Sequence, residues 1–209
     1  MINAESMKSA FSHWDKVYTT KKHSQVSWHQ DHATISLDWI IEVIQPNDAI
    51  IDVGCGVSVL ADNLLDKGFS DLSLLELSSI ALKSTQKRLV SNLNKVSFYH
   101  QNILDFSTKK YFKLWHDRAV FHFLTDPNDQ KTYIQKLNDY LQKDGFFLLA
   151  TFALDGPKQC SELDIVQYDE KKISRLLSKN FRLIKTVTES HVKPNGGVQK
   201  FNYFLLQKQ

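Results

Sequence analysis

The chain is poor in cysteine. Cys55 and Cys160 are its two in 209 residues, too few and too far apart for a disulfide framework. It has no apolar run approaching the ~18 residues of a membrane span. It also lacks an excess of one charge, since 26 Lys and Arg stand against 23 Asp and Glu. Nucleic-acid binding proteins gather their basic residues on one face. Here the basic residues are spread out, and the densest pairs, Lys21-Lys22 and Lys171-Lys172, read as solvated surface. Neither a nucleic-acid partner nor a membrane is expected. The opening MINAESMKS lacks a basic segment followed by an apolar core, so no secretory signal is expected and a reducing cytoplasm is the expected location. His13, His23, His29 and His32 offer a single close pair, His29 and His32, which is too little for a metal site. Without internal repeats, low-complexity stretches or a composition shift, residues 1–209 read as one domain. That length is sufficient for a full α/β core.

What is present is concentrated in Ala49 to Leu65, AIIDVGCGVSVLADNLL. A β-branched apolar run, Ile50, Ile51 and Val53, breaks at Gly54-Cys55-Gly56. It resumes with helical spacing at Leu60, Leu64 and Leu65. Strand, tight glycine turn and helix form the first unit of an open α/β sheet, whose ligands bind at the carboxyl ends of its strands. Asp52 lies at that end. Gly54 and Gly56 remove the Cβ where a ligand would approach the backbone. Leu72 to Leu77 reads as a second buried strand with Glu76 near its end, about 20 residues past the glycines, where a carboxylate accepts both hydroxyls of an adenosine ribose. A dinucleotide motif would carry a third glycine. Here Val57-Ser58-Val59 follows Gly56.

The remaining chain alternates helices and strands. Residues 1–35 form a polar strap punctuated by Phe11, Trp14, Tyr18 and Trp28, expected to dock as a lid over the site. Leu37, Ile40, Ile41 and Ile44 have amphipathic spacing, with Ser36 as the expected cap. Ser78 or Ser79 is expected to cap a helix reaching about Asn92. Val96 to Gln101 is a third strand, with Asn102 and Ile103 at its end suited to an adenine edge and face. Leu114 to Phe123 is a fourth strand running into a loop, interrupted by His116, Asp117 and Arg118. Asp117 and Arg118 are candidates for the charged tail of a cofactor. His122, between two phenylalanines, reads as a core residue. Pro127 opens a helix to about Leu141, with Gly145 as its expected stop. Phe146 to Ala153 is a doubly buried strand. Leu154 to Tyr168 is a long loop with Asp155-Gly156-Pro157 and Cys160. A helix capped by Asp169 follows, with Ile173, Leu176 and Leu177 inward. A hairpin of Phe181–Thr188 and Lys200–Leu206 closes the chain and is antiparallel.

The run D-V-G-C-G at Asp52–Gly56 resembles the D/E-x-G-x-G motif of class I S-adenosylmethionine (SAM)-dependent methyltransferases. The order of elements resembles that family's seven-stranded sheet. The resemblance implies a Rossmann-like, doubly wound α/β fold, mostly parallel with an antiparallel C-terminal strand. Further runs, W-D-K-V-Y at Trp14–Tyr18, W-H-D-R-A-V-F-H-F-L at Trp115–Leu124 and D-G-P at Asp155–Pro157, are similar to a narrower branch. That branch holds the methyltransferases that modify lysine in citrate synthase and in elongation factor 1A, together with bacterial relatives. The resemblance implies SAM as cofactor and S-adenosylhomocysteine as product. Carried over by motif, Gly54 and Gly56 would line the methionine side, with Asp52 beside them. Glu76 with Leu77 would bind ribose, and Asn102 with Ile103 would hold adenine. Asp117 and Arg118 would face the tail or the acceptor, and Trp14, Tyr18 and Trp28 would close the site. Lys113 stands where an acid is commoner in the family.

Methyl transfer asks mainly for positioning and exclusion of water. A lysine acceptor must also lose a proton, and Asp117, Asp155 and Tyr168 are candidates by position alone. Cys160 has no evident base beside it. A small-molecule acceptor and a protein lysine both remain open. Two other classes are a non-catalytic module holding SAM or its demethylated product, and an NAD-dependent oxidoreductase, which the missing third glycine disfavours.

Overall fold

The computed structural model describes residues 4–209, with side chains from Ser9 onward; residues 1–3 of the expected strap lie outside the described residues. Seven strands form one sheet in the order β3-β2-β1-β4-β5-β9-β8. They are β1 (Ile50–Val53), β2 (Leu72–Glu76), β3 (Val96–His100), β4 (Phe112–Arg118), β5 (Leu141–Phe152), β8 (Phe181–Val192) and β9 (Val198–Lys208). The pairs among β1 to β5 are parallel, while β9 runs antiparallel to both β5 and β8. β9 is thus the one reversed strand, as the expected architecture requires. β6 (Gln159–Cys160) and β7 (Leu163–Asp164) make a separate small hairpin within the expected long loop.

Helices α1 (Ala4–Thr20), α2 (Thr34–Val43), α3 (Leu60–Asp66), α4 (Ser79–Arg88), α5 (Pro127–Tyr140) and α6 (Glu170–Leu177) surround the sheet. Because side chains alternate along a strand, the sheet carries two cores. Ile50, Leu72, Leu74, Leu114 and Leu148 pack with Ile40, Leu64 and Leu82 of α2, α3 and α4. Ile51, Val53, Leu75, Trp115, Phe147 and Leu149 pack with Tyr133 and Leu137 of α5 and with Ile173 and Leu177 of α6.

The helix starts follow from caps. Ser78 accepts from the Ala81 N–H, Asp126 from Asn128 and Asp169 from Lys172, satisfying donors that the first helical turn leaves unpaired. Four details depart from the sequence reading. Ser36 does not cap α2: the helix begins at Thr34 and Ser36 is inside it, buried. α5 stops at Tyr140 because Leu141 is already extended, so Gly145 is no helix stop. It sits in β5, where a Cβ would lie 3.0 Å from the Lys113 carbonyl oxygen and block the approach of β4. Ile41 and Leu176, expected inward, are 43% and 37% exposed. α4 ends at Arg88, and the stretch to Lys95 is a 3₁₀ turn.

Candidate active site

The carboxyl ends of β1, β2, β3 and β4 open into a cavity of about 490 Å³, within the range of small-ligand sites. Its floor is the glycine turn. Gly54 and Gly56 have φ of +67° and +50°, the left-handed region where a Cβ is unfavourable. A Cβ on Gly54 would lie 2.1 Å from Val120 Cγ2, and one on Gly56 would lie 2.4 Å from the Tyr18 hydroxyl. The turn is held from α4, where Thr85 Oγ1 donates to the Gly56 carbonyl at 2.9 Å and Arg88 Nη1 to the Val57 carbonyl at 3.3 Å.

Glu76 lies at the centre of this floor. Its Oε2 accepts the Gly56 N–H at 2.8 Å and its Oε1 the Ser78 N–H at 2.7 Å. The carboxyl is buried, and that burial raises its pKa to about 7 against the pull of these backbone donors. Asp52, on the other side of the turn, also lines the cavity. At the far wall, Asn102 turns its Oδ1 onto the Leu104 N–H at 3.0 Å, so its NH₂ group remains to donate, and Ile103 lies beside it. Leu77 completes this wall.

The cover comes from the amino-terminal segment. Asp15 on α1 accepts the Ser78 hydroxyl at 2.6 Å and the Ile80 N–H at 3.3 Å, an anion at the positive end of α4. Trp14, Tyr18, Trp28 and Phe123 form one aromatic cluster, with Trp14 at 6.0 Å from Trp28 and 5.3 Å from Phe123 between ring centroids. The segment after α1 is tied to the sheet by Arg118. Its Nε donates to the Tyr203 hydroxyl at 2.9 Å and its Nη1 to the Trp28 carbonyl at 3.0 Å. Glu189 joins them, accepting from Tyr203 at 2.8 Å and from Gln30 at 3.2 Å, and His191 Nε2 pairs with the Ser27 carbonyl at 2.9 Å.

Residues 44–206 match the family model described as methyltransferase domain. The chain belongs to the methyltransferase-domain family. Among its relatives, the malonyl-[acyl-carrier protein] O-methyltransferase 2 of Ilyobacter polytropus is 24% identical over 156 residues, covering 74% of this chain and 57% of that protein. The EEF1A lysine methyltransferase 2 of Danio rerio is 30% identical over 115 residues, covering 52% of this chain and 49% of that protein. The chain thus spans about half the length of these relatives. Among solved structures, the 1,6-didemethyltoxoflavin-N1-methyltransferase of Burkholderia thailandensis, with S-adenosylhomocysteine bound, superposes with a TM-score of 0.75 at 17% identity, covering 100% of this chain and 92% of that one. The magnesium protoporphyrin IX methyltransferase of Synechocystis PCC 6803 gives 0.70 at 15% identity, covering 96% and 94%. At these identities the likeness shows the fold.

The expected cofactor residues Asp52, Gly54, Glu76, Leu77, Asn102, Ile103 and Arg118 of the matched methyltransferase domain line the cavity, as do Trp14, Tyr18 and Trp28, which precede the matched residues, with Gly56 under Tyr18. Asp117 does not line it. It faces the opposite side of the sheet, toward α5, and is fully buried. Its oxygens accept the Val120 N–H at 2.8 Å, the Phe121 N–H at 3.0 Å and the Tyr133 hydroxyl at 2.6 Å. Burial raises its pKa to about 6. Asp155 is exposed and paired with Lys200. Tyr168 is buried against Phe121 in the same core as Tyr133. None of the three candidate bases lines the cavity: Asp117 and Tyr168 share the core beneath it, around Phe121, and Asp155 lies on the surface.

His122 is wholly buried, stacked at 5.0 Å on Phe152, and burial lowers its pKa to about 3; it is neutral. Cys55 and Cys160 both line the cavity. Burial pushes the Cys55 thiol up and the Cys160 thiol to about 11, so both are protonated near neutrality and neither is an activated nucleophile. Sequence reasoning missed Ser36 and His116, which border the cavity, and Tyr203 and Glu189, which hold its cover. Among the described residues no group of three His, Cys, Asp or Glu side chains is placed to hold a metal, and no helix is long and apolar enough to cross a membrane.

Proposed function

We propose that the chain is a SAM-dependent methyltransferase acting on a small molecule or a protein lysine. The carrying observation is Glu76. Its buried carboxylate is fixed between the Gly56 and Ser78 N–H groups, with lone pairs left for the two ribose hydroxyls. Asn102 and Ile103 on the neighbouring loop suit the adenine. The glycine turn supports SAM over a dinucleotide. Gly54 and Cys55 N–H groups both donate to the Leu75 carbonyl, at 2.7 and 3.1 Å, and Gly56 N–H donates to Glu76. A pyrophosphate would need such donors free.

When bound, SAM supplies an activated methyl carbon on a sulfonium. The protein's share is to hold acceptor and donor in line and to exclude water, which suits a cavity roofed by Trp14, Tyr18, Trp28 and Phe123. Where the acceptor is an ammonium, a proton must leave. His13, His23 and His29 line the strap side, and burial lowers the pKa of His23, so its imidazole is free to accept one near neutrality. The relatives act, by their names, on malonyl-[acyl-carrier protein] and on EEF1A lysine, and both acceptor classes fit this reading.

Calorimetric titration of SAM into the wild type and Glu76→Ala tests it. Loss of the acceptor should weaken binding by roughly 1.5–3 kcal/mol, ten- to a hundredfold. A wild type that ignores millimolar SAM but binds reduced nicotinamide dinucleotide would sink the reading.

A further inference from the structure

Asp52 is the end of a buried chain of three side chains from three elements. β1 and β4 are paired in parallel with Asp52 opposite His116, so both side chains leave the sheet on the α2 and α3 face. His116 Nδ1 lies 2.6 Å from Asp52 Oδ1, and His116 Nε2 lies 2.9 Å from Ser36 Oγ on α2. Ser36, His116 and Asp52 are 1%, 3% and 5% exposed, and all three border the cavity. A carboxylate only accepts, so Nδ1 carries the proton toward Asp52, and Nε2 takes the Ser36 hydroxyl proton. Should the ring become cationic, the same hydroxyl turns and accepts from Nε2–H. The chain is satisfied in either state, and Asp52 is held in both.

The connectivity, Asp on Nδ1 and Ser on Nε2, is that of an acyl-transfer triad, but the working end differs. Ser36 sits in the first turns of α2 and is the more sealed end. Among the described residues no donor pairs with the second oxygen of Asp52, Oδ2. Glu76, the other floor carboxylate, already accepts a backbone N–H on each oxygen. We propose that His116 and Ser36 are positioning residues that lock the rotamer of Asp52 and present Oδ2 to the ammonium of the cofactor's amino-acid tail. This rests on the SAM reading above and adds two residues to it. A preorganised carboxylate loses less freedom on binding than a mobile one, and an ionic hydrogen bond in a buried site is among the stronger ones.

The test compares two ligands. SAM carries the tail; 5′-methylthioadenosine keeps the adenosine and sulfur and lacks it. His116→Leu should lose tenfold or more in SAM affinity and stay within about twofold for 5′-methylthioadenosine. Ser36→Ala should show the same selectivity at about threefold. His116→Asn, whose amide NH₂ reaches the place of Nδ1, should recover most of the SAM affinity. Equal loss of both ligands, or a folded His116→Leu with unchanged SAM affinity, overturns the proposal while leaving the cofactor reading intact. If His116→Leu does not fold, Ser36→Ala and His116→Asn decide by the same selectivity. A wild type that binds neither ligand overturns both.

Discussion

The floor of the cavity is made of strand ends in register, and its cover is made of a few side chains that reach across the molecule. On the floor, Gly54, Asp52 and Glu76 follow directly from β1 and β2, and the N–H groups of Gly54, Cys55 and Gly56 all have partners. Over it, α1 rests on Asp15 against the start of α4, and the segment after it rests on Arg118, Tyr203, Glu189 and His191. The floor is as stable as the sheet. The cover is expected to open more readily than the floor, because it is held by side-chain contacts and not by strand register.

The sharpest way to break the comparison is Asp117, which joins the floor to the core beneath α5. Asp117→Ala leaves the buried Phe121 N–H, the part-buried Val120 N–H and the Tyr133 hydroxyl without an acceptor. The expected loss is about 3–5 kcal/mol by chemical denaturation, with SAM affinity of the folded fraction near wild type. A variant of wild-type stability that has lost SAM would return Asp117 to the cavity.

A second effect separates floor from cover by pH. Glu76 has a folded pKa of about 7 against an ordinary 4.5, so the folded state holds its proton more tightly. Its contribution to stability is present below the ordinary carboxylate pKa. It is lost as pH rises through about 7, roughly 3 kcal/mol in all. Binding runs the other way, because only the ionised carboxylate offers both oxygens to the ribose. SAM affinity should fall about tenfold from pH 8 to pH 6, and Glu76→Gln should flatten that profile. An equally steep profile in the variant would place the titration elsewhere.

The cover is tested by its latch. Arg118→Met removes the hydrogen bonds to Tyr203 and to the Trp28 carbonyl. A net loss of about 1 kcal/mol should speed proteolysis near Thr20–Ser24 about fivefold without moving the global melting temperature. SAM should slow that cleavage in the wild type. Cleavage at wild-type rate in Arg118→Met would show that the aromatic cluster and the remaining Asp15, Glu189 and His191 contacts hold the cover without Arg118.

How far the sequence could be read follows the same division. The turn and Glu76 were legible because glycines and a strand-end acid at fixed spacing imply their own geometry. The hairpin and the reversed β9 were legible from the turn residues Pro194 to Gly197. The β4 end was not. Asp117 and His116 are adjacent, and in a strand buried on both faces apolar alternation does not say which of them points to which side. Parity placed His116 beside Asp52 and Asp117 under α5, so the residue chosen from sequence was the neighbour of the one that borders the cavity. The latch was illegible for another reason. Trp28, Arg118, Glu189 and Tyr203 are scattered along the chain, and only the folded sheet brings them together. Ser36 looked like a cap because serine before a helix usually is one, and it was instead taken by His116.

The smallest effect concerns where the floor is strained. Ala119, immediately after β4, has φ of +76°, lines the cavity and donates its N–H to the Ala150 carbonyl at 2.9 Å. The left-handed region costs an alanine about 1–2 kcal/mol. A glycine there escapes that cost and gives back roughly 0.4–1 kcal/mol through the greater freedom of its unfolded chain. Relief wins, so Ala119→Gly should stabilise the protein by about 0.5–1 kcal/mol in denaturant titrations, with SAM affinity unchanged within twofold. If the variant is more stable but binds SAM several-fold less well, the Ala119 methyl is part of the cavity wall, and the strain is tolerated for that contact. If it is less stable, the Ala119 backbone is held by more than the Ala150 bond, and the floor is stiffer than its strand register alone requires.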